Sequence, residues 1–245
     1  MKQKVRGPRN EDRGQKKSLE PRASILGPVR SEAMQRYFAI GDIHGCLDKL
    51  LALMDLLDVD WGQDTVVFMG DYIDRGPESK GVVDLLLELR RHHDRVVCLA
   101  GNHESMFLNY LDHREEQIYL FNGGRSTLQS YGISPDEQDR RAKLPLKHLQ
   151  FFETLLPCYE TENYLFVHAG IRPGIPMERQ DPYDMIWIRN EFFLSTHGLI
   201  KTVVFAHTPF REPFVGEKMI GIDTGAVYGG VLTCLELPAM KFYQV

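Results

Sequence analysis

From residue 37 to residue 100 short apolar runs alternate with stretches of helical spacing, and that alternation leaves few folds open to the chain. Residues 37–40, 65–69 and 96–100 read as strands. Between them Leu47, Leu50, Leu51 and Met54 recur at i, i+3, i+4 and i+7, the positions of one helical face. Val82, Leu85, Leu86 and Leu89 repeat the spacing. The order β-α-β-α-β predicts a parallel sheet with right-handed crossovers.

With 245 residues, 43% of them hydrophobic, the chain can bury one large core. Residues 1–35 are rich in Lys, Arg, Pro and Gly without apolar periodicity, which predicts a disordered basic leader ahead of a domain over 36–245. Met34, just before the first strand, is an alternative start. Residues 105–159 are mostly helical, with polar breaks at Asn122-Gly-Gly-Arg125 and around Ser134-Pro-Asp136, and read as a small helical cap inserted into that domain. Strands at 164–167, 203–206, 219–222 and 231–237, punctuated by Gly and Pro, predict a second sheet.

The formal net charge of −5 gives no basic field for nucleic acid or a membrane surface, and neither is expected as a partner. Cys46, Cys98, Cys158 and Cys234 are too dispersed for a zinc ribbon or a disulfide framework. Cys46 stands at a helix start, a position that lowers a thiol pKa. No apolar run is long enough for a bilayer span or a signal peptide, so a cytoplasmic protein is expected.

Four polar islands interrupt this pattern: Gly41-Asp42-Ile43-His44-Gly45, Gly70-Asp71-Tyr72-Ile73-Asp74-Arg75-Gly76, Gly101-Asn102-His103-Glu104 and His168-Ala169-Gly170. A lone Asp-x-His or Asp-Arg-Gly is usually a surface turn. Here three islands follow successive strands, at the edge where open α/β sheets place their ligands. Asp42 and His44, two residues apart, can face one metal. Asp71 can give one oxygen to each of two ions, Asn102 supplies a neutral oxygen, and His168 and His207 end later strands. The set divides into Asp42, His44 and Asp71 for one ion and Asp71, Asn102, His168 and His207 for the other. Mixed oxygen and nitrogen ligands favour two divalent ions of the Mn, Fe, Zn, Ni or Co type over calcium. Such ions, about 3.5 to 4 Å apart, can hold a bridging hydroxide for in-line attack at phosphorus.

His103, directly after Asn102, is free to act as proton donor to the leaving oxygen, and Asp74 can hold it charged and fix its tautomer. Arg75 offers a bidentate fork to the phosphate, and Arg189 in Ile186-Trp-Ile-Arg-Asn190 is a second clamp. The bland reading of Arg189 is stacking on Trp187.

The islands, quoted as GDIHG, GDYIDRG, GNHE and HAG, resemble the phosphoprotein phosphatase branch of the calcineurin-like metallophosphoesterases. Ile186-Trp-Ile-Arg189, Phe205-Ala-His-Thr-Pro209 and Ile222-Asp-Thr-Gly-Ala226 make the match most similar to bacteriophage lambda-type bacterial Ser/Thr protein phosphatases. The resemblance covers roughly residues 36 to 237. It implies an α/β/β/α sandwich, a dinuclear site usually active with Mn2+, and a phosphoprotein or phosphopeptide substrate, with phosphotyrosine and small phosphoesters also possible. It assigns the same roles to the same residues. Ala206 departs from the pattern, since relatives commonly carry Gly before this His, and its methyl could crowd the second ion or be absorbed by the strand. Two alternatives stand beside the phosphatase reading: a symmetrical diadenosine tetraphosphatase, which commonly lacks the acid at Asp74, and a noncatalytic phosphate-binding module.

Overall fold

Strands β1 (Tyr37–Ile40), β2 (Thr65–Phe68) and β3 (Val96–Cys98) pair in parallel, as the alternation predicts. The computed structural model describes residues 35–245; the expected leader, up to Met34, lies outside the described residues. The connections from β1 to β2 and from β2 to β3 are α1 (Leu47–Leu56) and α2 (Ser79–His92). Leu50 and Leu53 are buried on α1 with Leu47 and Met54 packed beside them, whereas Leu51 is 47% exposed, so the inward face is turned relative to the expected set and includes Leu53 in place of Leu51.

Helices α3 (Asn102–Leu111), α4 (Glu116–Tyr119), α5 (Arg125–Tyr131), α6 (Arg140–Lys143) and α7 (Leu146–Glu153) occupy the segment expected to be a cap, and its last residues join β4 (Cys158–Glu160). Phe107, Tyr110, Tyr119, Leu128, Phe151 and Phe152 pack into one cluster with Phe38 and Phe68 of the first sheet. Then follow β5 (Tyr164–Val167), α8 (Pro182–Trp187), α9 (Asn190–Phe193), β6 (Thr202–Phe205), β7 (Phe214–Gly216), β8 (Met219–Gly221), β9 (Thr233–Leu237) and β10 (Lys241–Gln244).

The strands form two five-stranded sheets, β10-β9-β1-β2-β3 and β4-β5-β6-β8-β7. Successive side chains on a strand point to opposite faces, and here both faces are apolar. Phe38, Ile40, Val66 and Phe68 join the outer cluster beneath α1, α2 and α3, while Ala39, Val67 and Met69 meet Phe166, Val204 and Ile220 between the sheets. Leu165, Val167, Val203 and Phe205 face Met185 and Phe192 of α8 and α9. The result is a four-layer α/β/β/α sandwich, whose strands are near-continuous apolar runs because both faces are covered.

One strand leaves the sheet expected for it. β9 pairs antiparallel with β1 in the first sheet instead of joining the second. All five of its residues are buried, Cys234 in the outer cluster and Leu235 and Leu237 between the sheets. A strand buried on both faces reads alike in either sheet. All four cysteines are free, and burial raises the Cys46 thiol, against the lowering expected at a helix start. No helix among the described residues is long and apolar enough to cross a membrane.

Candidate active site

The carboxyl ends of five parallel strands converge on one cavity. Asp42 and His44 follow β1, Asp71 follows β2, Asn102 opens α3 after β3, His168 follows β5 and His207 follows β6. All six are buried. His44, Asp71 and His207 adopt φ of 47°, 53° and 64°, and Asp74 and Arg75 of 73° and 68°. Left-handed backbone costs a non-glycine residue roughly 1–3 kcal/mol and persists where surrounding structure enforces it. Here the turns are held by backbone bonds, Ile43 and His44 donating to the Asp71 carbonyl at 3.1 and 2.8 Å.

Asp71 is the centre. Its Oδ2 lies 3.4 Å from His44 Nε2 and its Oδ1 lies 3.5 Å from His168 Nε2, so its two oxygens face two different imidazoles. The ligand atoms of Asp71, His168 and His207 lie within 4.8 Å of one another, as do those of His44, Asp71 and His103. His168 Nε2 is also 3.2 Å from Asn102 Oδ1. Each outer nitrogen has a partner that sets its tautomer. His44 Nδ1 donates to the Ile73 carbonyl at 2.8 Å and His168 Nδ1 to the Met69 carbonyl at 2.9 Å, leaving each Nε2 lone pair turned inward. Asp42 lines the same cavity, its Oδ1 accepting from the His207 amide at 3.3 Å, but His103 stands closer to the His44–Asp71 pair.

His103 Nδ1 donates to Asp74 Oδ2 at 2.7 Å, with both side chains essentially inaccessible. Its Nε2 points toward Asp71, 4.0 Å from Oδ2. Tyr119 and Thr127 both donate to the other Asp74 oxygen, at 2.8 and 2.6 Å. Arg75 reaches His44 Nε2 with Nη1 and lies under the Tyr228 ring at 5.3 Å. Arg189 donates to the His207 carbonyl and Thr208 Oγ1, each at 3.2 Å. Both arginines, His103 and Asp223 line the cavity, which has a volume of about 220 Å³.

The donors present suit a divalent metal. Burial pushes His44 down to about 3 and His207 to about 2, so both imidazoles are neutral, the form that binds metal. Burial and the charges of Asp223 and Asp71 hold Asp42 well above the usual carboxylate range. Burial, with a smaller push from Asp71, takes Asp223 up to about 6 despite the Gly225 amide. Three carboxylates in one buried cavity repel each other until a cation joins them. His207 Nε2 is the one buried side-chain polar atom without a hydrogen-bond partner among the described residues. A buried orphan nitrogen is costly. It sits in the Asp71, His168 and His207 group, where a metal ion would satisfy it.

The calcineurin-like phosphoesterase model matches residues 36–230, most of the chain and every side chain just described. The chain belongs to the calcineurin-like phosphoesterase family. The asymmetrical bis(5'-nucleosyl)-tetraphosphatases PrpE of Bacillus thuringiensis and Bacillus anthracis are each 28% identical to this phosphoesterase, in alignments that cover 86% of this chain and 94% of theirs. A solved structure provisionally described as a diadenosine tetraphosphatase superposes with a TM-score of 0.68 at 24% identity, covering 87% of this chain and 94% of that one. A Saccharomyces cerevisiae protein serine/threonine phosphatase with similarity to human phosphatase PP5 gives 0.62 at 17% identity, covering 88% and 81%. At such identities the two structures share the fold, the sandwich the sequence implied.

In this phosphoesterase several supporting residues escaped the sequence reading. Gly123, from the polar break, has φ of 98°, and its carbonyl accepts from the Arg75 amide at 3.1 Å. A Cβ there would stand 2.7 Å from the Arg75 side chain and 3.1 Å from its backbone nitrogen, so the Gly-Gly turn is a seat for Arg75. Arg125 is exposed and does not line the cavity. The Ala206 methyl is absorbed between the sheets, fully buried in the apolar cluster.

Glu104 is a further addition. Its carboxyl accepts from the amides of Asp71, Tyr72 and Gly101 at 2.9, 2.8 and 3.0 Å, tying the second and third islands together. Glu104→Ala strands three buried donors, each costing about 1–3 kcal/mol when left unsatisfied. The expected result is a melting temperature lower by roughly 6–12 °C, taking about 3 kcal/mol net for a domain of this size. A thermal melt within about 2 °C of the parent would show that the loop does not depend on this carboxyl.

Proposed function

We propose that the chain hydrolyses dinucleoside polyphosphates, cutting asymmetrically, with Asp42, His44 and Asp71 holding one divalent ion and Asp71, Asn102, His168 and His207 the other. The observation that carries the hydrolytic reading is the split of Asp71, one oxygen toward His44 and one toward His168, beside the His103–Asp74 pair. The substrate class rests on the PrpE relatives, whose length is almost wholly matched. Manganese is the metal we expect. When bound, the two ions supply Lewis-acid charge to phosphoryl oxygens and to a water nucleophile.

The chain's own groups do the rest. Arg75 and Arg189 face the cavity with planar forks suited to phosphoryl oxygens, fixing the phosphorus and neutralising charge as it develops. As an imidazolium His103 holds one proton on Nδ1, donated to Asp74, and a second on Nε2, and it is the Nε2 proton that goes to the departing oxygen and leaves the ring neutral. Asp74, held by Tyr119 and Thr127, keeps the ring oriented and stabilises its positive charge.

The same pair supports a second reading, dephosphorylation of phosphoproteins, because an alkoxide leaving group needs a proton more than a nucleotide phosphate does. Manganese-loaded protein incubated with diadenosine tetraphosphate and, separately, with phosphopeptides decides between them. The expected products are AMP and ATP in equal amounts. Two ADP would mean symmetrical cleavage, and phosphate release from peptides with the dinucleotide intact would assign the site to phosphoproteins.

A further inference from the structure

A second cavity, of about 380 Å³, adjoins the site and shares Arg189 with it. Its wall is laid down by one short helix. Asp181 caps α8 by accepting from the Tyr183 amide at 2.9 Å, and Pro182 starts the first turn. Tyr183 and Trp187 are then four residues apart, on one helical face. Their rings stack, with centroids 5.9 Å apart and planes 26° from parallel. Tyr183 is 64% exposed, so its ring is open to a ligand in this cavity. Trp187 also meets the His207 ring edge to face at 6.1 Å, so the platform runs up to the candidate metal ligands.

The polar groups of this cavity differ from those of the first. Asp184 forms a bidentate pair with Arg172, at 2.6 Å for both bonds, and Glu191 adds a second carboxylate. Arg172 and Arg189 balance these two carboxylates, so the cavity holds no surplus positive charge to draw in a further phosphate. A flat aromatic group with an amino donor fits the same surroundings: rings for its face, and Glu191, the carboxylate not paired with Arg172, for its N–H groups.

From this chemistry we infer that the Tyr183–Trp187 cavity is a nucleobase subsite for an amino-bearing purine whose phosphate is held by Arg189. The inference deepens the dinucleoside reading and rests on it for the substrate class. In asymmetrical cleavage with attack at the nucleoside-bearing phosphorus, the base is separated from the reacting centre by its ribose alone. A subsite that shares a phosphate clamp with the site suits that register, whereas symmetrical cleavage would insert another phosphate between base and reacting phosphorus.

Calorimetry on the manganese-loaded His103→Asn chain, in which turnover is suppressed, compares AMP with ribose 5-phosphate. The two probes differ only in the base. AMP is expected to bind tighter by roughly 5- to 150-fold, the range that stacking of a base on an aromatic ring carries. Tyr183→Ala and Trp187→Ala should each bring that ratio toward one. Tyr183 is exposed, so its removal tests the platform without disturbing the core. AMP binding no tighter than ribose 5-phosphate, or a ratio unmoved by both substitutions, overturns the subsite. Displacement of AMP by a phosphopeptide that itself needs both rings, with no preference for AMP over ribose 5-phosphate, would assign the cavity to a peptide and also overturns it. Failure of the two proposals is separable. A chain that prefers AMP yet leaves diadenosine tetraphosphate intact keeps the subsite and loses the substrate reading, and the converse result does the reverse.

Discussion

Replacing His103 by Asn is expected to lower kcat by about 10²–10⁴-fold, the usual contribution of a positioned general acid, while two metal ions per chain remain bound. The size follows from the geometry. His103 Nδ1 is tied to Asp74 at 2.7 Å, and only Nε2 faces the cavity. An Asn amide is shorter and has no proton to give at physiological pH. The metal count matters because His103 lies within ligating distance of His44 and Asp71. Loss of one ion in the variant would make His103 a ligand and leave the reaction without this acid. Leaving-group dependence gives a second reading of the same variant. The defect should be largest for an alkyl phosphate, whose departing alkoxide is strongly basic, and smaller for 4-nitrophenyl phosphate or a dinucleotide. A loss equal across the series would remove proton donation as its cause.

The degree to which the site was legible depended on how far along the chain each contact is made. Asp42, His44, Asp71 and Asn102 were readable because each lies in a turn directly after an apolar run, and sheet pairing then brings those turns together. The supports of Asp74 were not readable. Tyr119 and Thr127 come from 45 and 53 residues downstream, in a helical segment whose pattern shows only an apolar face. Nothing in the sequence marks a tyrosine hydroxyl as aimed inward at a carboxylate. Gly123 carried a signal, an Asn-Gly-Gly break, yet that string serves equally as an ordinary interhelical turn. Its partner, the Arg75 backbone, emerges only once α4 is packed on α3 and α5 on α2.

The layers show the same division. Period-two alternation cannot be seen where both faces are apolar, so β9 carried no indication of which sheet it would enter. Its place beside β1 is set by register, Tyr37 opposite Leu237 and Ile40 opposite Cys234. The consequence reaches the site. Thr224 and Asp223 precede β9, and Thr224 Oγ1 bonds Thr233 Oγ1 at 2.6 Å at its start. Asp223 thus follows β8 of the second sheet and, through Thr224, is tied to β9 of the first, which holds it beside Asp42 where the two sheets meet.

Asp71→Asn should be the most damaging single-atom change in the protein. The carboxylate faces His44 with one oxygen and His168 with the other, and an amide keeps only one oxygen while turning N–H donors toward the opposite imidazole. Residues that merely support a metal ligand typically cost 10–100-fold in affinity or activity. A ligand shared by both ions is expected to exceed about 100-fold in kcat/KM and to reduce the number of bound ions below two. The variant keeps the acceptor for the His103 amide, which lies 3.1 Å from Oδ1, so the loop that carries His103 should remain folded. The check is a melt at increasing manganese. Binding to the native state alone raises the melting temperature with ligand concentration, so the parent should climb steadily while Asp71→Asn climbs little. A variant that binds two ions with the affinity of the parent would remove Asp71 from between them, and with it the split carboxylate on which the hydrolytic reading depends.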